Sequence, residues 1–484
     1  MYIYGAGVFA RVYREMMERM GVHVEGFLVS AEPRAATYLG LPVETATSFS
    51  LPQDAGVVAG FRGAAFEDLH VPGLRREQCL LLSETAFLQR SAELLLVPKM
   101  RTLPCAPSAS APAGEKPPAE RILVIRLDVL GDLLMTVPFL RELRRNYPQA
   151  QITLVVWEKM KGLLCDCPYV DELVGYTCAL QEDLAVVQAW DWDAMLARAR
   201  AFLTELCAQQ GYDAVFLPRA LLTGRNCVEE FVLAILSGAP YRVGRSDLFS
   251  SAANACLAPV VASMMSRVVM ATEAKHEVAY MLDVLRAVGC TVAEERMEYW
   301  LAPEAVAFAE RILQKQPGDI FVACGLVSRE AARSWAPQNY RKLFEACAGE
   351  QMTFVLLGGR EAEEAADIIG ADGDIISLIG RTTLSQAAAV ISLCDLYLGS
   401  NTGLLHFASA TGVPVVEISA WLPDGEATDG IAPQRMGPWR VPACILTPAP
   451  GLDGCHGRCQ KPYAHCINTI TVEDVHRGIW SLLE

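Results

Sequence analysis

Short apolar runs alternate with amphipathic segments along most of the chain, and this pattern indicates strands alternating with helices. From residue 121 onward it predicts strands at 121–127, 151–156 and 213–217 and helices at 133–146 and 277–288. A second series has strands at 320–323, 352–357, 395–398 and 413–418 and helices around 337–348 and 361–369. Alternation of this kind builds parallel sheets covered by helices on both faces. Two series in tandem therefore predict an α/β architecture with two lobes facing each other across a cleft.

The front of the chain predicts a further, smaller α/β module. A strand at 2–4 is followed by Gly5-Ala-Gly7-Val-Phe-Ala10, a helix to residue 20 and a strand at 22–29. A G-x-G-x-x-A turn lets the backbone approach a phosphate at a helix N-terminus, as in Rossmann-like nucleotide sites. The acidic residue expected at the end of the second strand is missing, since Ser30 stands there. Nucleotide binding and a plain β-α-β turn both remain open.

A Pro- and Ala-rich stretch at 98–119 predicts a linker, because its prolines oppose helix and central strand alike. The predicted domains are an accessory Rossmann-like domain at 1–97, the linker at 98–120 and two Rossmann-like lobes at 121–300 and 301–484. A cysteine-rich loop at 444–466 belongs to the second lobe.

Composition excludes several classes of protein. The 484 residues carry a formal charge of −15 at pH 7, with a pI near 5.1 for the chain, which argues against a nucleic-acid partner. No apolar run approaches the roughly 20 residues needed to span a bilayer. The N-terminus opens on a strand and lacks the pattern of a signal peptide, so we expect a cytoplasmic protein. Most of the 16 cysteines are then expected to be small buried side chains.

In open α/β sheets the ligand lies at the carboxyl ends of the strands, so the loops after the predicted strands are the candidate site. The first such loop is Leu127-Asp-Val-Leu-Gly-Asp132, which leads into a helix. A carboxylate at Asp132 could act as general base on an acceptor hydroxyl. An aspartate that only caps the helix N-terminus fits the spacing equally well.

The second loop is Gly399-Ser-Asn401-Thr-Gly403-Leu-Leu-His406. It joins an apolar strand to a helix, whose first amides at Thr402, Gly403 and Leu404 would form a cradle for a pyrophosphate. His406 lies about one turn into the helix and could donate to a phosphate oxygen. A partly buried, internally bonded histidine is the alternative.

Two further loops supply charged residues. Arg333 follows the strand that ends near residue 323, and its permanent charge suits a diphosphate. Trp335 and Pro337 are expected to fix the start of the next helix. Glu361 follows the strand at 352–357 and could hold ribose hydroxyls, although a glutamate at a helix start is commonly just solvated.

These motifs together resemble those of the ADP-heptose transferases of glycosyltransferase family nine. Arg126-Leu-Asp-Val-Leu-Gly-Asp132, with Thr136 and Pro138, is similar to the leading motif of that family. The 399–406 loop with Gly-Val-Pro at 412–414 is similar to its donor motif. Arg333-Ser-Trp335 stands where the family has Lys-x-Trp, and Ser328 where a donor-binding hydroxyl is expected. The resemblance covers residue 121 to the C-terminus.

The resemblance implies a GT-B fold and an inverting, metal-independent glycosyltransferase. Asp132 would be the catalytic base, and ADP-heptose would be the donor. Ser328, Arg333, Glu361, Asn401, Thr402, Gly403, Leu404 and His406 would bind that donor. Asn401 replaces the usual aspartate that contacts the donor sugar, and Arg333 replaces lysine, so the sugar is open to differ from heptose.

The acceptor is not fixed by the sequence. Lipopolysaccharide core is the acceptor that the resemblance implies, and Arg141, Arg144 and Arg145 could face its acidic groups, or lie on a solvated helix face. Contact with the inner membrane would then be peripheral. The alternatives are a heptosyltransferase that modifies protein and a catalytically silent sugar-nucleotide-binding scaffold.

Four cysteines near the C-terminus suggest a metal site. Cys444, Cys455, Cys459 and Cys466 fall within 23 residues in a loop rich in proline and glycine. Thiolates at such spacing can bind structural Zn²⁺ or iron, and some autotransporter heptosyltransferases resemble this chain in having a cysteine-bound iron there. Free thiols in a packed loop are the alternative. No cofactor is expected to be required for catalysis.

Overall fold

The computed structural model describes residues 1–5, 8–30, 35, 37–52, 55–59, 71–72, 74–75, 78–80, 90–109, 114–178, 191–208, 210–222, 227–247, 252–370, 374–450, 452, 454–459 and 461–484. The chain forms two compact units. The first comprises Met1–Ala111, Pro117–Leu127 and Tyr176–Met270, and the second comprises Pro112–Lys116, Asp128–Gly175 and Ala271–Glu484.

The elements follow each other in the alternating order that the sequence predicts. The strands are β1 (Tyr2–Tyr4), β2 (Gly26–Val29), β3 (Thr37–Tyr38), β4 (Leu41–Thr45), β5 (Val57–Ala59), β6 (Cys79–Leu80), β7 (Arg121–Arg126), β8 (Gln151–Trp157), β9 (Glu172–Tyr176), β10 (Ala214–Ala220), β11 (Tyr241–Asp247), β12 (Arg267–Ala271), β13 (Ile320–Gly325), β14 (Met352–Leu357), β15 (Ile375–Ser377), β16 (Leu396–Gly399), β17 (Val415–Ile418) and β18 (Ala443–Leu446). The α-helices are α1 (Val8–Arg19), α2 (Val97–Arg101), α3 (Leu130–Asn146), α4 (Trp192–Leu206), α5 (Cys227–Leu236), α6 (Ala252–Met264), α7 (Glu277–Arg286), α8 (Pro303–Leu313), α9 (Pro337–Ala346), α10 (Glu363–Ile369), α11 (Leu384–Leu393), α12 (Gly403–Thr411), α13 (Pro433–Met436) and α14 (Val472–Leu483).

The first unit opens with a small sheet of order β3-β4-β2-β1-β5-β6, parallel except between β3 and β4. Tyr13, Met16 and Met17 on α1 are buried in one core with Ile3 and Phe27 of the sheet. The predicted β-α-β unit is therefore present. Gly5 has φ +116°, as its turn requires, whereas Gly7 of the glycine fingerprint lies outside the described residues.

The first unit also contains neighbouring strands in the order β12-β11-β10-β7, and β10 is parallel to both β7 and β11. The end of β7 is fixed by a buried carboxylate on α5. Glu230 accepts a 2.6 Å hydrogen bond from the Leu127 amide and lies 3.4 Å from an Arg219 nitrogen. This contact sets the position from which the chain leaves β7.

The second unit is built on a parallel sheet of order β15-β14-β13-β16-β17-β18. Trp335 and Tyr340 are fully buried in its core, and the Trp335 indole donates to the Ile470 carbonyl at 3.1 Å. Pro337 opens α9, as predicted. Because all six strands are parallel, their carboxyl ends meet at one edge of the sheet.

One expectation about these elements needs correction. The prolines do not prevent helix at the start of the predicted linker, since Pro98 lies in the first turn of α2, where its missing N–H is tolerated. The closing helix α14 packs on the sheet of the second unit, with Val475 and Ile479 in its core. No helix among the described residues is both long enough and apolar enough to cross a membrane.

Candidate functional site

A single cavity of about 510 Å³ in the second unit collects the loops that the sequence singled out. Its walls come from the segments 129–132, 327–333, 357–361, 382–387, 401–406 and 430–436. Most of these segments follow the carboxyl end of a parallel strand. The cavity therefore lies where ligands bind in open α/β sheets.

All the residues predicted to be catalytic or donor-binding line this cavity. They are Asp132, Ser328, Arg333, Glu361, Asn401, Thr402, Gly403, Leu404 and His406. The structure thus brings together side chains that lie up to 274 positions apart (132 to 406). Their roles in binding and catalysis stay predictions.

Asp132 does not cap its helix. The N-cap of α3 is Val129, whose side chain has no hydrogen-bonding group, and Asp132 is the third residue of the helix, half-buried on the cavity wall. Thr136 donates to the Asp132 carbonyl at 2.8 Å. Asp132 is therefore not the N-cap that the alternative required, and its carboxylate stands in the first turn of the helix.

The first turns of α3 and α12 meet at the cavity through two glycines. A Cβ atom on Gly131 would overlap the His406 ring, and one on Gly403 would overlap the Leu130 side chain. Only glycine allows these approaches. The N-termini of two helices thus converge on one space, which concentrates positive potential and free amide donors there.

The tip of α12 has polar atoms without partners. Thr402 is the N-cap, but its hydroxyl makes no capping hydrogen bond, and the Thr402 Oγ1 and His406 Nδ1 atoms are buried without a partner among the described residues. Buried polar atoms are nearly always paired, so unpaired ones beside a cavity point to a ligand or ordered water.

His406 is a neutral hydrogen-bonding group. It is 3% exposed, and burial, together with the charges of His276 and Arg333, lowers the pKa of His406 to about 3. Near neutral pH the imidazole therefore carries no charge. It can donate one hydrogen bond to a phosphate oxygen but adds no cation to the site.

The two arginines of the 327–333 loop differ in their hydrogen bonds and ion pairs within the protein. Arg333 donates from Nη2 to the Asn401 carbonyl at 2.8 Å, and its Nη1 lies 3.7 Å from Glu330. Arg329, which sequence reasoning missed, is exposed on the cavity wall and makes no hydrogen bond or ion pair within the described part of the chain. Arg329 is thus the uncommitted cation, and Arg333 mainly holds the 399–406 loop.

The cavity wall also carries the carboxylate of Glu361 and the apolar side chain of Leu384. Glu361 lies on an exposed turn, and its carboxylate accepts from the Gly359 amide at 3.1 Å. Leu384, an apolar side chain that is 41% exposed, stands at the start of α11 after the cap Thr383. The sequence missed this wall, although Thr383 and Gln386 form a capping box that could have revealed the helix start.

A buried carboxyl lies behind the 399–406 loop. Glu417, near the end of β17, is 0% exposed, and neither of its oxygens meets hydrogen-bond geometry with a described group. Burial raises the pKa of Glu417 to about 7, although nearby Asn401, Ser419 and Arg333 each favour the charged form. Sequence reasoning missed this residue because it sits within an apolar strand.

This pKa makes stability depend on pH. The folded protein holds the Glu417 proton more tightly than the unfolded chain, whose pKa for this group is 4.5. The tighter proton binding stabilises the folded state fully below about pH 4.5, and this stabilisation is lost as the pH rises to about 7. The free energy of unfolding changes by roughly 3 kcal/mol over this range. Glu417→Gln, which cannot titrate, should therefore gain in melting temperature relative to the native chain between pH 5 and pH 8. A difference in melting temperature that stays constant across this range would contradict the assignment.

The arginines predicted to face an acidic acceptor all form ion pairs within the protein. Arg141 is buried and donates to Glu298 at 2.6 Å and to the carbonyls of residues 294 and 296 at 2.9 Å. Arg144 pairs with Asp171, and Arg145 with Glu142. Arg141 is therefore committed within the protein and not available to an acceptor, whereas for Arg145, which is exposed, an acidic acceptor and a solvated helix face both stay open.

The cysteine cluster differs from its predicted composition by one ligand. Cys455, Cys459, Cys466 and His465 place their ligand atoms within 4.8 Å of one another. The His465 Nδ1 lies 3.9, 3.7 and 3.2 Å from the sulfurs of Cys455, Cys459 and Cys466. Cys444 is not a member, since it lies on β18 with its sulfur packed toward Gly478 of α14. His465 stands in its place.

Comparison with known proteins gives a consistent family. The model of glycosyltransferase family 9 (heptosyltransferase) matches residues 249–422. Lipopolysaccharide core heptosyltransferase OpsX of Haemophilus influenzae is 20% identical over 62% of this chain and 79% of its own length. Lipopolysaccharide heptosyltransferase 1 of Salmonella typhimurium is 21% identical over 62% of this chain and 87% of its own.

Solved structures show the same fold. A family 9 glycosyltransferase of Veillonella parvula superposes with a TM-score of 0.59 at 20% identity, covering 75% of this chain and 97% of its own. Escherichia coli ADP-heptose heptosyltransferase II gives 0.54 at 18% identity, covering 75% and 98%. The predicted GT-B fold with an additional front domain is confirmed. The chain is a glycosyltransferase that is similar to the heptosyltransferases of glycosyltransferase family 9.

Proposed function

We propose that this glycosyltransferase moves a heptose from ADP-heptose to a hydroxyl of a glycan acceptor such as lipopolysaccharide core, with inversion at the anomeric carbon. The observation that carries the proposal is one cavity with Asp132 on one wall and the tip of α12 on another. Its similarity to lipopolysaccharide heptosyltransferases supports the sugar and the acceptor. E. coli heptosyltransferase WaaC, solved with ADP and with ADP-2-deoxy-2-fluoro heptose, supports the nucleotide.

In this mechanism Asp132 takes the proton of the acceptor hydroxyl as its oxygen attacks the anomeric carbon. The bond from that carbon to the diphosphate breaks, and negative charge moves onto the leaving diphosphate. The first amides of α12, the neutral His406 N–H and the Arg329 guanidinium are arranged to stabilise this charge. The nucleoside extends toward Glu361 and Leu384. No metal takes part in these steps.

The same arrangement argues against a silent scaffold. A protein that only binds sugar nucleotides needs the tip of α12 but has no use for a half-buried carboxylate elsewhere on the cavity wall. Asp132 is such a carboxylate, and its neighbour Gly131 packs closely against the His406 ring. A protein acceptor remains an alternative for the acceptor alone, since none of the donor contacts depends on it.

A donor screen tests the proposal. ADP-heptose should raise the melting temperature of the protein more than UDP-, GDP- or dTDP-sugars do, because ligand binding to the folded state stabilises it by mass action. Release of ADP should then require a heptose-deficient lipopolysaccharide core. Stabilisation by another nucleotide-sugar but not by ADP-heptose would refute the donor assignment while leaving the reaction class in place.

The Arg329 guanidinium should contribute to binding of the donor nucleotide. Arg329→Ala is expected to weaken ADP binding by roughly 10- to 100-fold, the value of a lost charged hydrogen bond. The melting temperature should not change, because the side chain is exposed and makes no hydrogen bond or ion pair within the described residues. Calorimetric titration with ADP measures the effect. Arg477→Ala, on the exposed face of α14, is the matched control, and equal affinity of both variants would contradict the role of Arg329.

We infer that Cys455, Cys459, His465 and Cys466 hold a structural Zn²⁺ or iron ion. In a tetrahedral zinc site with Zn–S of about 2.3 Å and Zn–N of about 2.0 Å, sulfur and nitrogen lie about 3.6 Å apart. The 3.2–3.9 Å separations from His465 fit this geometry. Hydrogen bonding by nearby groups also overcomes burial and lowers the pKa of Cys459 to about 7, which favours the thiolate.

Metal analysis with a matched pair of variants tests this inference. Cys459→Ser should remove the ion that copurifies with the native chain, about one per molecule for a four-ligand site. Cys444→Ser should keep it, because Cys444 lies outside the cluster. Equal metal content in both variants, or no zinc and iron in protein purified without chelator, would rule the site out.

A further inference from the structure

A second group of metal-ligand side chains lies in the second unit, where the C-terminal helix meets the turn after α9. Cys347, Glu350 and His476 each place one ligand atom within 4.8 Å of the other two. None of the three lines the cavity, and none belongs to the cysteine cluster described above. The proposed transfer reaction uses none of them.

The turn after α9 holds two of these side chains close together. Cys347 is the C-cap of α9, and the Glu350 amide donates to the Cys347 carbonyl at 3.1 Å. Gly349, with φ +91°, supplies the left-handed residue within this tight turn. The main chain thus sets the spacing between the thiol and the carboxylate.

Helix α14 supplies the third ligand and supports the second. The His476 Nε2 atom lies 3.0 and 3.3 Å from the two Glu350 oxygens, and the Trp480 indole donates to the Glu350 Oε2 atom at 3.3 Å. Residues 476 and 480 are four apart, so they lie on one face of the helix. Buried Val475 and Ile479 fix α14 in the core. The carboxylate is therefore oriented from α14 as well as from the turn.

The distances and the ligand types fit Zn²⁺. With Zn–N and Zn–O of about 2.0 Å, nitrogen and oxygen lie about 3.3 Å apart in a tetrahedral site, close to the 3.0 and 3.3 Å between His476 and Glu350. A thiolate with an imidazole favours zinc over Mg²⁺ and Ca²⁺, which take oxygen ligands. The His476 and Glu350 side chains are 33% and 28% exposed, so an ion can enter from solvent and keep a water as its fourth ligand.

The Cys347 thiol must lose its proton to bind an ion. Burial, with the Glu350 carboxylate, raises the pKa of the Cys347 thiol to about 12, so the metal-free group is protonated near neutral pH. Zn²⁺ replaces this proton, which passes to the solvent as the Zn–S bond forms. The charge of the ion also offsets the repulsion between the thiolate and the carboxylate.

We propose that Cys347, Glu350 and His476 form a zinc site that fastens the C-terminal helix α14 to the turn after α9. The ion joins segments that lie 126 positions apart in the chain. Its binding stabilises the folded protein by mass action, because the unfolded chain does not hold the three ligands together. The site lies outside the cavity lining, so the ion takes no part in sugar transfer.

Zinc binding by matched variants tests the site. Equilibrium dialysis at increasing Zn²⁺ concentration gives the number of ions bound and their affinity, and thermal unfolding with and without Zn²⁺ gives the stabilisation. Cys347→Ala and His476→Gln should bind the ion of this site more than about tenfold more weakly, since losing even a group that only orients a ligand weakens metal binding by roughly 10- to 100-fold. Cys394→Ala removes a buried thiol outside both metal-ligand groups and should bind zinc as the native chain does.

Two further variants sharpen the result. Cys459→Ser alters the other cluster and should leave the ion at Cys347 in place, and Trp480→Phe, which removes the hydrogen bond to Glu350, should weaken zinc binding by roughly tenfold. Equal zinc binding by the native chain and His476→Gln, whose position is partly exposed, would overturn the inference even if Cys347→Ala failed to fold. Loss of all bound zinc in Cys459→Ser would also overturn it.

Discussion

Replacing Asp132 by asparagine is expected to slow sugar transfer on the order of a thousandfold, the usual contribution of a positioned general base. Asparagine keeps the size of the side chain but cannot take the proton of the acceptor hydroxyl. Asp132 lines the cavity from the first turn of α3, whereas the donor diphosphate is proposed to bind at the tip of α12. Donor binding should therefore change little. ADP release in the presence of acceptor measures the rate, and calorimetry with ADP-heptose measures the affinity.

Asp367→Asn provides the control for this variant. Asp367 is exposed on α10, outside the cavity lining, and its replacement should leave both rate and affinity unchanged. Two outcomes would count against a catalytic Asp132. One is an asparagine variant that retains most of the transfer rate. The other is a variant that loses donor binding to the same extent as transfer, which would make the residue structural.

Replacing Gly131 by alanine should damage both transfer and stability. The added methyl group would overlap the His406 ring, which is buried and has no room to withdraw. Overpacking of this kind costs about 1–3 kcal/mol. Displacing a group that contacts the leaving diphosphate by about 1 Å costs on the order of a hundredfold in rate. Thermal unfolding and kcat/KM measure the two effects.

Gly162→Ala is the matched control for this substitution. No atom lies within 4 Å of the position where its methyl group would be placed, and Gly162 belongs to the same unit. Its stability and kcat/KM should equal those of the native chain. If Gly131→Ala also behaved like the native chain, the close approach of the α3 turn to His406 would not matter for function.

The sequence was sufficient to predict the cavity because strand order and loop position are linked in parallel sheets. Asp132, Arg333, Glu361 and His406 each follow a predicted strand, and all four line the cavity. Chemistry visible in short motifs could thus be located without knowing side-chain positions. The same reasoning predicted that Pro337 opens the next helix, and Pro337 is the first residue of α9.

What the sequence could not show depends on contacts between distant side chains. Arg329 and Arg333 look equivalent in the sequence, and only the bond from Arg333 to the Asn401 carbonyl separates them. Arg141 looked available until its contacts with residues 294–298 were known. Spacing could not distinguish Cys444 from His465 as the fourth member of the cluster, because Cys444 is drawn away on β18.

In the front module the sequence predicts the fold but not whether a ligand binds. The β-α-β unit at 2–29 follows from the pattern of apolar residues, and β1 and β2 pair in parallel as such a unit requires. Whether its glycine turn binds a nucleotide is a separate matter, because a turn of this kind forms with or without a phosphate. The missing acidic residue at the end of β2 leaves the prediction of nucleotide binding open. The boundaries proposed for the domains also stay predictions.

The stereochemistry of the product tests the central claim most directly. If a hydroxyl activated by Asp132 displaces a diphosphate held at the tip of α12 in a single step, the transferred sugar must have the anomeric configuration opposite to that in the donor. NMR of the product formed from ADP-heptose and heptose-deficient lipopolysaccharide core should show this inversion together with release of ADP. A product with the donor's configuration, or no transfer from ADP-heptose, would contradict the account.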